Sequence, residues 1–150
     1  MTLFDASALL SLVLGQPGEA EVSALLRQGS CAIPAPCLAE VIDKLVRQHG
    51  VEPAAVSEHL GPLIDEAIQV VPVERRLAWR AGELHAEYYN RKTAALSLAD
   101  CILLAAAGPG DEIATSDRAV AAVARKLGIK LIPLPDSRGR RPRAGYDLSR

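Results

Sequence analysis

The sequence predicts an α/β fold: one domain with a central, mainly parallel β-sheet covered by helices on both faces. Three observations predict it. Short apolar segments alternate with helix patterns along nearly the whole chain. The length, 150 residues, suits one domain and lets folding remove about two-thirds of the unfolded surface from water. Hydrophobic residues make up 49% and charged residues 23%, a balance that excludes a chain disordered throughout.

The elements follow in order. Thr2–Asp5 is a short apolar segment, followed by a helix pattern through Leu14. Met1–Leu14 has no positive leader and carries Asp5 inside its apolar run, so it reads as strand and helix rather than export signal. Gln16-Pro17-Gly18 breaks the pattern, and Glu19–Arg27 reads as a second short helix stopped by Gly29. Cys31–Pro34 is a strand candidate, and Pro36 suits the first turn of a helix. Leu38, Val41, Ile42, Leu45 and Val46 then recur at helical spacing, up to Gly50. Pro53–Glu66 is a further helix candidate with a break at Gly61-Pro62. Ile68–Val71 reads as a strand, and Val73 to about Asn90 as a long polar helix. Ser97–Ala107 is a nearly all-apolar helix closed by Gly108-Pro109-Gly110. Glu112–Ala114, Ser116–Leu127 and Lys130–Ile132 complete the alternation as strand, helix and strand.

After Pro135 the composition changes. Asp136–Arg150 holds five Arg against two Asp and little apolar content, which predicts a flexible basic tail following a domain over residues 1–135.

Composition also excludes functions. Lys and Arg total 17 and Asp and Glu 18, so the chain as a whole is no basic glove for nucleic acid. Aromatic residues, at 3%, are too few for a base-stacking platform. No apolar stretch reaches the length of a membrane span. Cys31, Cys37 and Cys101 form no CxxC pair, which predicts reduced thiols and a cytoplasmic protein. His49, His59 and His85 lack zinc-type spacing.

The informative residues are carboxylates at element ends. Asp5 falls where the first strand ends, the place where parallel sheets gather ligands; equally, it suits a helix N-cap. Asp100 is the one charge in Leu98–Ala107. It reads either as a buried acid that needs a partner or metal, or as a capping-box partner of Ser97. Glu40 lies in the first turns of the Pro36 helix, where the helix dipole favours acids. Asp43, a turn further on, reads as a supporting acid or a solvated charge. Asp117 follows a strand within Thr115-Ser116-Asp117, where Thr115 or Ser116 would cap the next helix. Converging acids repel one another, and a hard divalent cation relieves that repulsion through oxygen ligands. Such ions support phosphoryl chemistry without His or Cys, and no GxSxG, GxxxxGK[ST] or GxGxxG competes. Ser7 and Thr115 would bond ligands or waters, or cap helices.

LFDASALL around Asp5, LAEVIDKL around Glu40, LSLADCILLAAA around Asp100 and IATSDRAVAAVARKLGIKLIPLP around Asp117 resemble the PIN domain. The closest resemblance is to its small prokaryotic branch, the VapC-type toxins of toxin–antitoxin pairs, over about residues 2 to 135. It implies a PIN-like α/β fold and an endoribonuclease dependent on Mg²⁺ or Mn²⁺. Asp5, Glu40, Asp100 and Asp117 would be its metal-binding catalytic acids, with Ser7 and Thr115 in support. It also implies a homodimer, with higher toxin–antitoxin assembly, and a small VapB-like antitoxin whose extended tail blocks the acidic pocket. Many relatives carry Asn near the place of Asp43. Two other readings keep part of this picture: a housekeeping RNA-processing nuclease without antitoxin, and a non-catalytic PIN-like binding module.

An acidic pocket repels RNA unless positive charge flanks it. Arg118, Lys44 and Arg47 are the RNA-binding candidates nearest the acids in sequence; Arg75, Arg76, Arg80, Arg91 and Lys92 form a further cluster. Trp79, His85, Tyr88 and Tyr89 read as packing or partner-contact residues of the long polar helix.

Overall fold

Among the described residues, 1–142 of a computed structural model, strands and helices alternate. The order is β1 (Thr2–Phe4), α1 (Ala6–Val13), α2 (Glu19–Gln28), β2 (Cys31–Pro34), α3 (Ala35–Asp43), α4 (Pro53–Glu66), β3 (Ile68–Val71), α5 (Arg75–Tyr88), α6 (Leu98–Ala106), β4 (Glu112–Thr115), α7 (Arg118–Lys126) and β5 (Lys130–Pro133). A π-helical turn, Lys44–Gln48, extends α3.

The strands form one sheet in the order β3-β2-β1-β4-β5, and every pairing is parallel. Leu3, Phe4, Ile33 and Ile113 are fully buried in the central strands, as a sheet covered on both faces requires. The register sets Phe4 opposite Ala114, so the chain leaves β1 and β4 side by side. From β1 the chain steps outward to β2 and β3, then crosses back to β4 and β5. The order therefore reverses between β1 and β4, and a crevice opens at the carboxyl ends of strands at such a point.

Two differences from the sequence reading have a clear physical cause. Gly61-Pro62 does not break α4, which runs through with Pro62 inside it. Pro62 and Glu58 are both exposed, so water can serve the Glu58 carbonyl that proline leaves without a donor. The last long helix begins at Arg118 rather than Ser116, because Thr115 still pairs with Pro133 in the sheet and Asp117 is the cap. The three cysteines are buried and free. Trp79 is 69% exposed and its indole donates to Glu83, while His85 and Tyr89 stack. No helix among the described residues is long and apolar enough to cross a membrane.

Of the Arg-rich segment after Pro135, residues 143–150 lie outside the described residues. Residues 136–142 lie within them. Asp136 closes a tight loop with Arg140, Arg141 pairs with Glu21 on α2, and Pro142 is buried.

Candidate active site

The acids expected from sequence come from separate elements. Asp5 follows β1, Glu40 lies in α3, Asp100 in the first turn of α6, and Asp117 just beyond β4. All four line one open cleft of about 680 Å³, together with Ser7, Lys44 and Arg118. Thr115 is fully buried beneath it.

Asp5 anchors the cleft. It is 4% exposed and occupies the N-cap position of α1, yet its side chain caps nothing. Two hydroxyls hold it instead: Thr115 Oγ1 donates to Oδ2 at 2.6 Å and Ser7 Oγ donates to the same oxygen at 2.9 Å. Each hydroxyl also accepts a backbone bond, Thr115 Oγ1 from Asp117 N and Ser7 Oγ from Ser116 N. The network ties β1, α1 and the β4–α7 junction together. Burial raises the Asp5 pKa to about 6, and the charges of Asp100 and Asp117 push the same way against the two hydroxyl bonds.

Asp100 makes the capping box that the sequence offered, and it is half-buried rather than buried. Ser97 N–H donates to its Oδ2 at 2.6 Å while Ser97 Oγ accepts from its backbone N–H, a complete capping box. Among the described residues Oδ1 takes no hydrogen bond, and the side chain still lines the cleft. Burial raises its pKa, and the Asp117 and Glu40 charges add to this against the Ser97 bonds.

Asp117 is itself the N-cap of α7: its Oδ1 accepts from Ala119 N at 2.7 Å and Val120 N at 3.0 Å. The sequence reading put that cap one or two residues earlier. Thr115 and Ser116 are instead engaged in the network around Asp5.

Glu40 is half-buried and pairs with Lys44 Nζ at 2.5 Å, one turn along the helix. Burial alone would lower the Lys44 pKa; the Glu40 bond and the Asp5 and Asp100 charges hold it above the ordinary value. Arg118 is exposed on the cleft rim and makes no ion pair among the described residues. Arg47 does not line the cleft; it forks onto Asp43, with Nη2 to Oδ2 at 2.7 Å, and both are exposed. Cys37 is fully buried, and burial with the Asp5, Asp100 and Glu40 charges pushes its thiol pKa far up.

One wall of the cleft went unnoticed in the sequence: Asp136, beyond β5. It obeys the same rule as Asp5, an acid past a strand end, but the Arg-rich composition around it reads as solvated chain. A larger groove, about 1130 Å³, runs beside β3 and α5 and holds none of these acids.

Among the described residues, no group of three His, Cys, Asp or Glu stands close enough to grip a metal together. The donor set fits a cation that asks for less. Mg²⁺ binds through one or two carboxylates and keeps its other positions for water and phosphate. A desolvated Asp5 facing two further acids is a site where such a charge relieves repulsion.

The PIN domain family profile matches residues 2–143. The search of curated proteins returns no match. Among solved structures, the chain is similar to FitAcB from Neisseria gonorrhoeae, with 20% identity over 88% of this chain and 96% of that one and a TM-score of 0.63. A toxin–antitoxin complex from Klebsiella pneumoniae matches with 23% identity over 78% of this chain and 87% of that one, at a TM-score of 0.55. VapC20 of Mycobacterium tuberculosis, described as a sarcin-ricin loop cleaving toxin, matches with 20% identity over 86% and 85%, also at 0.55. At these identities the likeness is one of fold.

Proposed function

The chain belongs to the PIN domain family, and on that premise we propose that it is a divalent-cation-dependent endoribonuclease, the toxin of a toxin–antitoxin pair. The observation that carries the reading is the convergence of Asp5, Glu40, Asp100 and Asp117 on one cleft where the strand order reverses. The fold it shares with a toxin–antitoxin complex and with a toxin that cleaves the sarcin-ricin loop supports it.

Asp5 and Asp100 would anchor Mg²⁺ or Mn²⁺, with Asp117 completing the site through the cation's waters and Glu40 binding it or orienting a water. When bound, the cation lowers the pKa of water and offsets charge on the phosphodiester. Thr115 and Ser7 aim the Asp5 carboxylate by fixing Oδ2. Lys44 and Arg118 line the same cleft and give a polyanion the positive contacts that the acids alone would deny it. Arg47, outside the cleft, could meet only a longer substrate. The reading takes residues 1–135 as the nuclease domain and places the protein in the cytoplasm as a homodimer. Its partner is a small VapB-like antitoxin whose extended tail occupies the cleft.

A second reading has an observation of its own. Asp100 and Asp117 both cap helices, which a non-catalytic module would also need. Asp100→Asn separates the two, because an amide oxygen still accepts from Ser97 N–H while the charge is gone. Purified, antitoxin-free protein is assayed for RNA cleavage in Mg²⁺ or Mn²⁺ and in EDTA. The expected result is cutting that EDTA stops and that Asp100→Asn lowers by about 100-fold or more, with thermal unfolding little changed. Full metal-dependent cutting by Asp100→Asn would assign the residue to capping only.

A further inference from the structure

Asp136, in the segment after β5, lines the acidic cleft. Asp136 Oδ1 accepts from Arg138 N and Arg140 N, both at 2.9 Å, and its Oδ2 accepts from Arg140 Nε at 2.9 Å. Arg140 Nη2 lies 2.8 Å from the same oxygen. The backbone closes the loop as well, with Asp136 N donating to Arg140 O and Gly139 N to Asp136 O, both at 2.8 Å. Gly139 turns at φ +77°, a conformation that other residues rarely adopt. These bonds occupy the Asp136 carboxylate, so it is a poor cation ligand despite its place in the cleft. The backbone bond from Arg140, with the guanidinium and the Arg138 N–H, holds its pKa down at about 2 against burial.

The loop is then latched. Arg141 Nη2 meets Glu21 Oε1 at 2.5 Å and Nη1 meets Oε2 at 2.8 Å, a two-pronged pair. Nη1 also donates to the Pro133 carbonyl at 2.6 Å, and Pro142 beside it is buried. An exposed ion pair by itself contributes little, but a forked pair with an added carbonyl bond and a buried neighbour fixes geometry.

We propose that the Asp136–Arg141 loop is a substrate-binding wall of the cleft, in which Arg140 contacts a phosphate of single-stranded RNA and Arg141 is a positioning residue acting through Glu21. The proposal rests on the nuclease reading. Arg140 remains 56% exposed while Asp136 engages one edge of its guanidinium, leaving further N–H donors free for a phosphate. Its partner Asp136 lines the cleft with Lys44 and Arg118, so the ion pair holds Arg140 next to the cleft wall.

The test uses the full chain carrying Asp100→Asn and a fluorescein-labelled single-stranded RNA of mixed sequence, with anisotropy followed across a salt series. Arg140→Gln in this background is expected to weaken binding and to reduce the slope of log affinity against log salt by about 0.7, one phosphate contact. An unchanged slope overturns the role of Arg140 and leaves the nuclease reading standing. RNA binding absent from the parent protein at every salt concentration overturns both. Glu21→Gln tests the latch by its sign. Removing a negative charge should tighten RNA binding if Glu21 acts only through its field, and weaken it if Glu21 holds the wall. The charge-swapped pair, Glu21→Arg with Arg141→Glu, is expected to restore affinity. Tighter binding by Glu21→Gln overturns the latch.

Discussion

Asp5 loses its hydration in the folded chain, and the Thr115 and Ser7 hydroxyls replace it only in part. Its pKa stands at about 6 when folded against 3.8 for the free side chain. The folded state therefore binds this proton more tightly than the unfolded state. The contribution to stability is complete below pH 3.8 and is lost as pH rises through 6. By pH 7 the loss approaches about 3 kcal/mol, at roughly 1.4 kcal/mol per pKa unit. Urea unfolding of the metal-free protein in EDTA should show this decline, and Asp5→Asn should be the more stable protein at pH 7. Parallel pH profiles for the two would show Asp5 to be hydrated in solution. A divalent cation should restore stability to the wild type at pH 7 and do little for Asp5→Asn. The position of Asp5 past a strand was readable in the sequence. Its freedom from capping was not, because that depends on Thr115, which lies 110 positions away.

At the scale of elements, the β4–α7 junction does the most. Thr115 ends β4, donates to Asp5 and accepts from Asp117 N–H, so one hydroxyl aims a carboxylate and seats a helix. Thr115→Val keeps the shape and removes both bonds. It leaves the Asp117 N–H without this acceptor and should cost about 1–3 kcal/mol by denaturant unfolding, and cleavage should fall with it. Thr115→Ser should recover most of both. Equal losses in the Ser and Val variants would mean that the methyl packing, not the hydroxyl, matters there. Strand and helix alternation was legible, since most strands are short runs centred on apolar residues with Gly or Pro in or near them. The π-helical turn after Asp43 was not, because its apolar spacing is also that of an α-helix. Gly61-Pro62 misled because proline's lost donor matters only where water cannot reach the freed carbonyl.

At the scale of the molecule, near-neutral net charge conceals segregation. Four acids share the cleft with Lys44 and Arg118, and the Arg-rich segment at the far end of the chain adds Asp136 to its lining with Arg140 paired to it. Composition could not show this: the Glu21–Arg141 contact joins residues 120 positions apart, and no local pattern marks it. Ending the chain at Pro135 removes Asp136, Arg140 and the Arg141 latch but spares Asp5, Glu40, Asp100 and Asp117. The truncated protein should therefore keep its metal-dependent kcat at saturating RNA, while its KM rises and its KM depends less steeply on salt. Circular dichroism checks that it is folded. A folded, truncated protein with kcat abolished would move the wall into the reacting centre. An unchanged KM across the salt series would reduce it to an edge that merely closes the domain.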